Sequence, residues 1–129
     1  MTGTAVPDFF RRFPMQEVDS SGLDGVLGDG DASLDLLFLW GLDCPNCDIA
    51  KRAILAAPAR FSWPGIRWLH CNVYDDAAMA QRFGLHGVPA FFVFRRVRKL
   101  GRITGWPGPA AFGAAIERLL PVSLGLGQR

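Results

Sequence analysis

Cys44 and Cys47, with two residues between them in the segment LDCPNCD, are the pair in this chain best placed for covalent chemistry. A thiolate is both a nucleophile and a metal ligand. The spacing therefore suits thiol–disulfide exchange or half of a tetrahedral metal site. Exchange needs two different sulfurs, one accessible thiolate that attacks and a second thiol that releases the mixed disulfide. The residues between them point to such an asymmetry. With Cys44 as a helix N-cap, Pro45 falls at the first helical position, where its fixed φ suits the helix and its missing N–H costs nothing. Cys47 then lies one turn along, within disulfide reach and more sheltered. Helix N-termini and C-x-x-C spacing both favour the thiolate, so Cys44 is expected to attack and Cys47 to resolve. Asp43 and Asp48 flank the pair, and their negative charge opposes ionisation.

A metal site needs two more ligands, and the soft candidates are His70, Cys71 and His86. His70 and Cys71 are neighbours in a strand-like stretch and so point to opposite faces. No metal site is assigned from them, although a cluster bridged between two chains would use the same dithiol. Cys71 reads as a small buried hydrophobe. An odd count of three cysteines argues against a disulfide framework, and a C-x-x-C without a secretory signal points to redox or metal chemistry. The N-terminus shows no long apolar stretch behind a basic segment, and no apolar run approaches a membrane span. A cytoplasmic protein is expected, with no membrane and, at a net charge of +2, no nucleic-acid partner.

The elements that must hold these residues follow from periodicity. Residues 1–14 form an arm, either a short amphipathic turn on the domain or a flexible extension. Residues 15–120 form one domain, and residues 121–129 a tail. A short strand is expected at 15–18. A helix follows, capped by Asp19 or Ser20, with Leu23, Val26 and Leu27 on one face. Residues 34–40, LDLLFLW, are nearly all apolar and fit a strand buried on both faces. The helix after the dithiol is expected to bury Ile49, Ala53, Ile54 and Ala57, to point Lys51 and Arg52 away, and to stop at Pro58. A strand at 66–73 precedes a helix capped by Asp75 or Asp76 and stopped by Gly84. VPAFFVFRR and RKLGRITGW pair as a hairpin, and the last helix spans 108–120 with Phe112, Ile116, Leu119 and Leu120 inward. The basic run RRVRKLGR lies in that hairpin, at the sheet end remote from the dithiol. Trp63, Trp68 and Trp106 read as core or rim packing. The fold class is α/β, with a βαβ half joined to a ββα half.

LLFLWGLDCPNC, RFGLHGVPAFFVF and GRITGWPGPAAF together resemble the thioredoxin superfamily over about residues 15–120. The resemblance implies a thioredoxin-like central mixed sheet flanked by helices. It also implies a cis Pro89 facing the dithiol and a substrate groove shaped by Val88, Pro89, Trp40 and Gly105. Trp40 matches the family's tryptophan four residues before the first cysteine. Gly105 matches the glycine at the active-site rim, and Gly84 the glycine before the third strand. His86, three residues before Pro89, falls near the groove. The departures are specific. Asp43 stands where thioredoxins carry tryptophan, and Pro45 takes the first middle position, as in glutaredoxins and periplasmic thiol oxidases. Glutaredoxin's glutathione-binding determinants are not recognisable. Phe38 replaces a buried aspartate of thioredoxin, His70 replaces a lysine of the next strand, and Arg52 replaces the proline that kinks the helix. His70, with an ordinary pKa near neutrality, is the candidate proton relay.

The resemblance implies a thiol–disulfide oxidoreductase acting on protein disulfides, with electrons from a reductase or another thiol donor and no bound cofactor. Family potentials span roughly −270 to −120 mV, so the direction of electron flow is open. A thioredoxin-fold binding or assembly module with an idle or regulatory dithiol is the alternative, and a metal- or cluster-binding protein is a second one.

Overall fold

The computed structural model describes residues 6–29, 32 and 34–120. The expected tail at 121–129 lies outside the described residues. In chain order the elements are α1 (Phe9–Arg12), β1 (Gln16–Glu17), α2 (Leu23–Gly28), β2 (Leu34–Trp40), α3 (Pro45–Ala56), a 3-10 turn (Pro58–Phe61), β3 (Ile66–Asn72), α4 (Ala77–Arg82), β4 (Ala90–Arg95), β5 (Arg98–Thr104) and α5 (Pro109–Leu119). The sheet order is β1-β3-β2-β4-β5. β1 and β2 run parallel to β3, whereas β4 is antiparallel to both β2 and β5. This is the mixed sheet expected from a βαβ unit followed by a hairpin. The first strand is shorter than residues 15–18, because only Gln16 and Glu17 find ladder partners, Leu69 and His70.

β2 lies at the centre, and all seven of its residues are buried. Its alternate side chains feed two cores. Leu34, Leu36, Phe38 and Trp40 pack with α1, α3 and α5, while Leu37 and Leu39 pack with α2 and α4. Asp35 is also buried, and Arg67 of β3, its register partner, donates to its carboxylate from Nη2 at 3.2 Å. The same Nη2 donates to the Val26 carbonyl at 2.7 Å.

Residues 6–13 of the arm pack on the domain as a helical turn, and residues 1–5 lie outside the described residues. Val6, Phe9 and Phe13 are buried in the α1/α3/α5 core, and Phe9 meets Phe38 edge-on at 6.4 Å. Among the described residues, no helix is long and apolar enough to cross a membrane.

The helix after the dithiol is rotated from the expected face. Its buried residues are Cys47, Ala50, Lys51 and Ile54, while Ile49 is 48% exposed. The reason is geometric. Once Cys47 faces inward, the 3.6-residue period carries positions 50, 51 and 54 with it, whatever their chemistry. The expectation that Lys51 points away is therefore corrected: it is 1% exposed.

Candidate active site

Trp40 ends β2, and a three-residue turn leads into α3. Gly41 lies close under Tyr74 there: a Cβ at this position would sit 3.0 Å from the Tyr74 ring, so a side chain would push that ring outward. Asp43 takes a left-handed φ of 51°, a conformation that Asp tolerates better than most residues. Cys44 is extended and caps α3: its Sγ accepts from the Cys47 backbone N–H at 3.1 Å, and Pro45 takes the first helical position. Cys44 and Cys47 are joined as a disulfide. Cys44 retains 8% exposure and lines a cleft, whereas Cys47 is fully buried, so the second sulfur is closed to the outside.

The Val88–Pro89 peptide bond is cis, and the Val88 carbonyl oxygen lies 3.4 Å from Cys44 Sγ. The Pro89 carbonyl accepts from the Gly105 N–H at 2.8 Å, where φ is 77° and a side chain would be strained. The structure thus brings Cys44, Val88, Pro89 and Gly105 to one end of the sheet. Beside them is a cleft of about 530 Å³, lined among others by Asp43, Cys44, Tyr74, His86 and Val88. His86 borders this cleft, and Tyr74, 63% exposed, is an apolar wall that the sequence reading did not single out. The basic run is at the other end of β4, about 20 Å away at roughly 3.3 Å per residue. There Arg96 donates to the Gly28 carbonyl at 2.8 Å.

Trp40 sits in the same core cluster as both cysteines. Its indole Nε1 donates to His70 Nδ1 at 3.1 Å, and the His70 ring stacks on Phe10 with 3.8 Å between centroids. Nδ1 is therefore an acceptor, which places the imidazole proton on Nε2. Burial, and then the nearby Lys51, push the His70 pKa down to about 4. An imidazole titrating near neutrality, the premise for a relay at His70, is replaced by one that stays neutral at pH 7.

Lys51 extends beneath Trp40, with Nζ 3.9 Å from the indole centroid, 5.4 Å from Phe10 and 5.9 Å from Phe9. Such contacts favour a cation over ring faces. Burial nevertheless lowers its pKa to about 8, against an opposing pull from Asp48. The sequence did carry a signal for Lys51, because it lies four residues after Cys47. No local pattern announces Phe10, which reaches the site only through the packing of α1. Cys71 lies on the opposite sheet face, where burial raises its thiol pKa to about 11, and Asp76 is second among the causes. Among the described residues, no group of three metal-ligating side chains gathers.

No family profile matches the chain, and no curated protein matches it by sequence. Solved structures do. Mitochondrial thioredoxin 3 from Saccharomyces cerevisiae, in its oxidized form, superposes with a TM-score of 0.69 at 15% identity, covering 81% of this chain and 95% of that one. A mutant thioredoxin from Halobacterium salinarum gives 0.66 at 20% identity, over 85% and 96%. Thioredoxin from Trypanosoma brucei brucei gives 0.70 at 14%, over 84% and 93%. At these identities the likeness is one of architecture: this chain has the thioredoxin fold, with a cysteine pair able to form a disulfide at the start of its third helix.

Proposed function

We propose that this protein is a thiol–disulfide oxidoreductase that exchanges electrons with protein disulfides through Cys44 and Cys47. The observation that carries the reading is a disulfide-bonded pair at a helix N-terminus, with its outer sulfur 3.4 Å from the Val88 carbonyl beside an open cleft. In the reducing direction the Cys44 thiolate attacks one sulfur of a substrate disulfide. The substrate's second sulfur leaves and takes a proton. Cys47, deprotonated, then attacks Cys44 Sγ, the mixed disulfide breaks, and the substrate's first sulfur departs and is protonated in turn. Two electrons have moved, and the protein is left in the oxidised state described above. A reductase or another thiol donor restores the dithiol, and the oxidising direction is the same sequence reversed. The segment before Pro89 lines the place where an extended substrate chain would lie, with Trp40 packed under the pair and Gly105 at the rim. The expected setting is cytoplasmic.

The test is dithiothreitol-driven reduction of a disulfide-bonded protein, with alkylation kinetics on the reduced form. Turnover that is lost in Cys44→Ser and arrested as a mixed disulfide in Cys47→Ser is the expected result. A Cys44 no more reactive than a free thiol at pH 7, together with no turnover, would overturn the reading.

A further inference from the structure

β5 is the last strand of the sheet, and among the described residues no strand pairs with its outer side. An edge strand leaves a row of N–H and C=O groups on that side, open to pairing with another chain. The ladder fixes which groups these are. The Gly105 N–H donates to the Pro89 carbonyl, so residue 105 points its backbone at the β4 side. In an antiparallel ladder that direction alternates. Ile103 therefore also points inward, while Arg102 and Thr104 point their N–H and C=O groups outward. The two faces of the strand differ as well. Leu100 and Ile103 pack toward the α1/α3/α5 core, whereas Lys99 and Arg102 lie over the Phe92 ring on the other face, 5.5 and 5.3 Å from its centroid.

The charge along this edge has one sign. No Asp or Glu stands between Asp76 and Glu117, a span that carries Arg95, Arg98, Lys99 and Arg102. None of these four forms an ion pair with a described carboxylate. Glu117 accepts from the Trp63 indole at 3.4 Å. At the turn, Arg96 is tied to the Gly28 carbonyl. Asp29, next to Gly28, adds one carboxylate there and leaves the length of β5 basic. Basic side chains on an edge keep like edges apart, but they favour a strand of opposite charge.

We propose that the outer side of β5 docks an extended acidic segment of a partner protein, which adds to the sheet as a further strand. The segment alternates acidic and apolar residues. Its acidic side chains stand beside Lys99 and Arg102, and its apolar ones beside Leu100 and Ile103. Its backbone pairs with the outward groups of Arg102 and Thr104. Charge complementarity selects this occupant. A second copy of the chain would set Arg98, Lys99 and Arg102 against their own like, whereas opposite charges facing each other across a strand pair stabilise it. β5 runs from the basic turn to Thr104, beside Gly105 at the rim of the candidate active site. None of its residues lines the dithiol cleft, so a docked segment leaves Cys44 accessible. Binding there requires no redox activity of the cysteine pair.

The experiment adds a fluorescent peptide of alternating glutamate and valine to the intact protein, read by anisotropy and by amide hydrogen exchange. Saturable binding is expected, with slowed exchange at the Arg102 and Thr104 amides. The same peptide with every amide N-methylated keeps its charge but loses its donors, and should bind about tenfold more weakly or worse. Lys99→Glu combined with Arg102→Glu should lower the affinity for the acidic peptide by about tenfold or more. That double variant should instead bind a peptide in which lysine replaces glutamate. Absence of saturable binding, unchanged exchange at the Arg102 and Thr104 amides, or equal affinity for the N-methylated peptide would overturn the proposal. Tighter capture of single-stranded RNA or of phosphatidylserine vesicles would also overturn it, since the hairpin would then be a general polyanion surface. The wild-type measurements decide alone if the double variant does not fold. None of these readouts needs turnover of a disulfide, so their failure is distinct from a failure of the redox reading.

Discussion

His70 shows how strongly burial rewrites a residue's chemistry. Its pKa falls from 6.5 to about 4 because the folded chain takes the ring out of water and sets it near Lys51. Between those values the unfolded chain holds a proton that the folded chain does not. Stability linked to His70 is therefore complete above pH 6.5 and lost as pH falls to 4, by about 3 kcal/mol at 1.36 kcal/mol per unit. Urea unfolding of the wild type and His70→Phe across this window should show the extra slope in the wild type only. The variant is less stable overall, since the Trp40 N–H loses its acceptor. Equal slopes in both proteins would show that the ring remains hydrated. Lys51 follows the same sign at higher pH: stability should rise between about 8 and 10.5, as the unfolded lysine alone stays protonated.

At the scale of elements, the pairing of β2 with β3 carries a charge inside an otherwise apolar strand. Asp35 is 3% exposed and Arg67 stands opposite it in register. Arg67→Leu leaves the buried Asp35 carboxylate without its cation and should cost about 3–5 kcal/mol, because an uncompensated buried charge is worse than none. Asp35→Leu combined with Arg67→Leu should recover at least half of that loss in denaturant unfolding. Additive losses would show that the pair is not coupled. The apolar run at 34–40 was legible as a buried central strand, but the partner of its lone carboxylate was not, since Arg67 is 32 residues away. Likewise, the amphipathic pattern of α3 was visible while its orientation was not. Ile49 and Lys51 are both within helical reach of a core face, and the turn after Trp40 decides which is turned inward.

The whole molecule closes over the candidate site from the far end of the chain. Phe9 and Phe13 bury themselves against β2 and β3, Val6 joins the same core, and Phe10 stacks on His70. Removing residues 1–13 should cost more than about 5 kcal/mol, given roughly 3–5 kcal/mol for each large buried aromatic lost. It should also return the Lys51 pKa toward 10.5, as water reaches the ammonium. Thermal unfolding and an NMR titration of the Lys51 ammonium check both. A truncated protein of unchanged stability would mean that the arm covers the sheet without holding it.

Read alone, the residue order determined the alternation of elements, the mixed sheet, the helix cap at Cys44-Pro45 and the asymmetry of the cysteine pair. The elements, the cap and the cysteine spacing depend on neighbours a few positions apart, the range over which periodicity and capping act, and the mixed sheet follows from the order of those elements. Only the tertiary structure decided that Lys51 is buried, that His70 stays neutral, that Tyr74 lines the cleft and that Phe10 reaches the ring of His70. Those outcomes depend on which distant surfaces exclude water, and desolvation is set by the packed whole and not by any local stretch of chain.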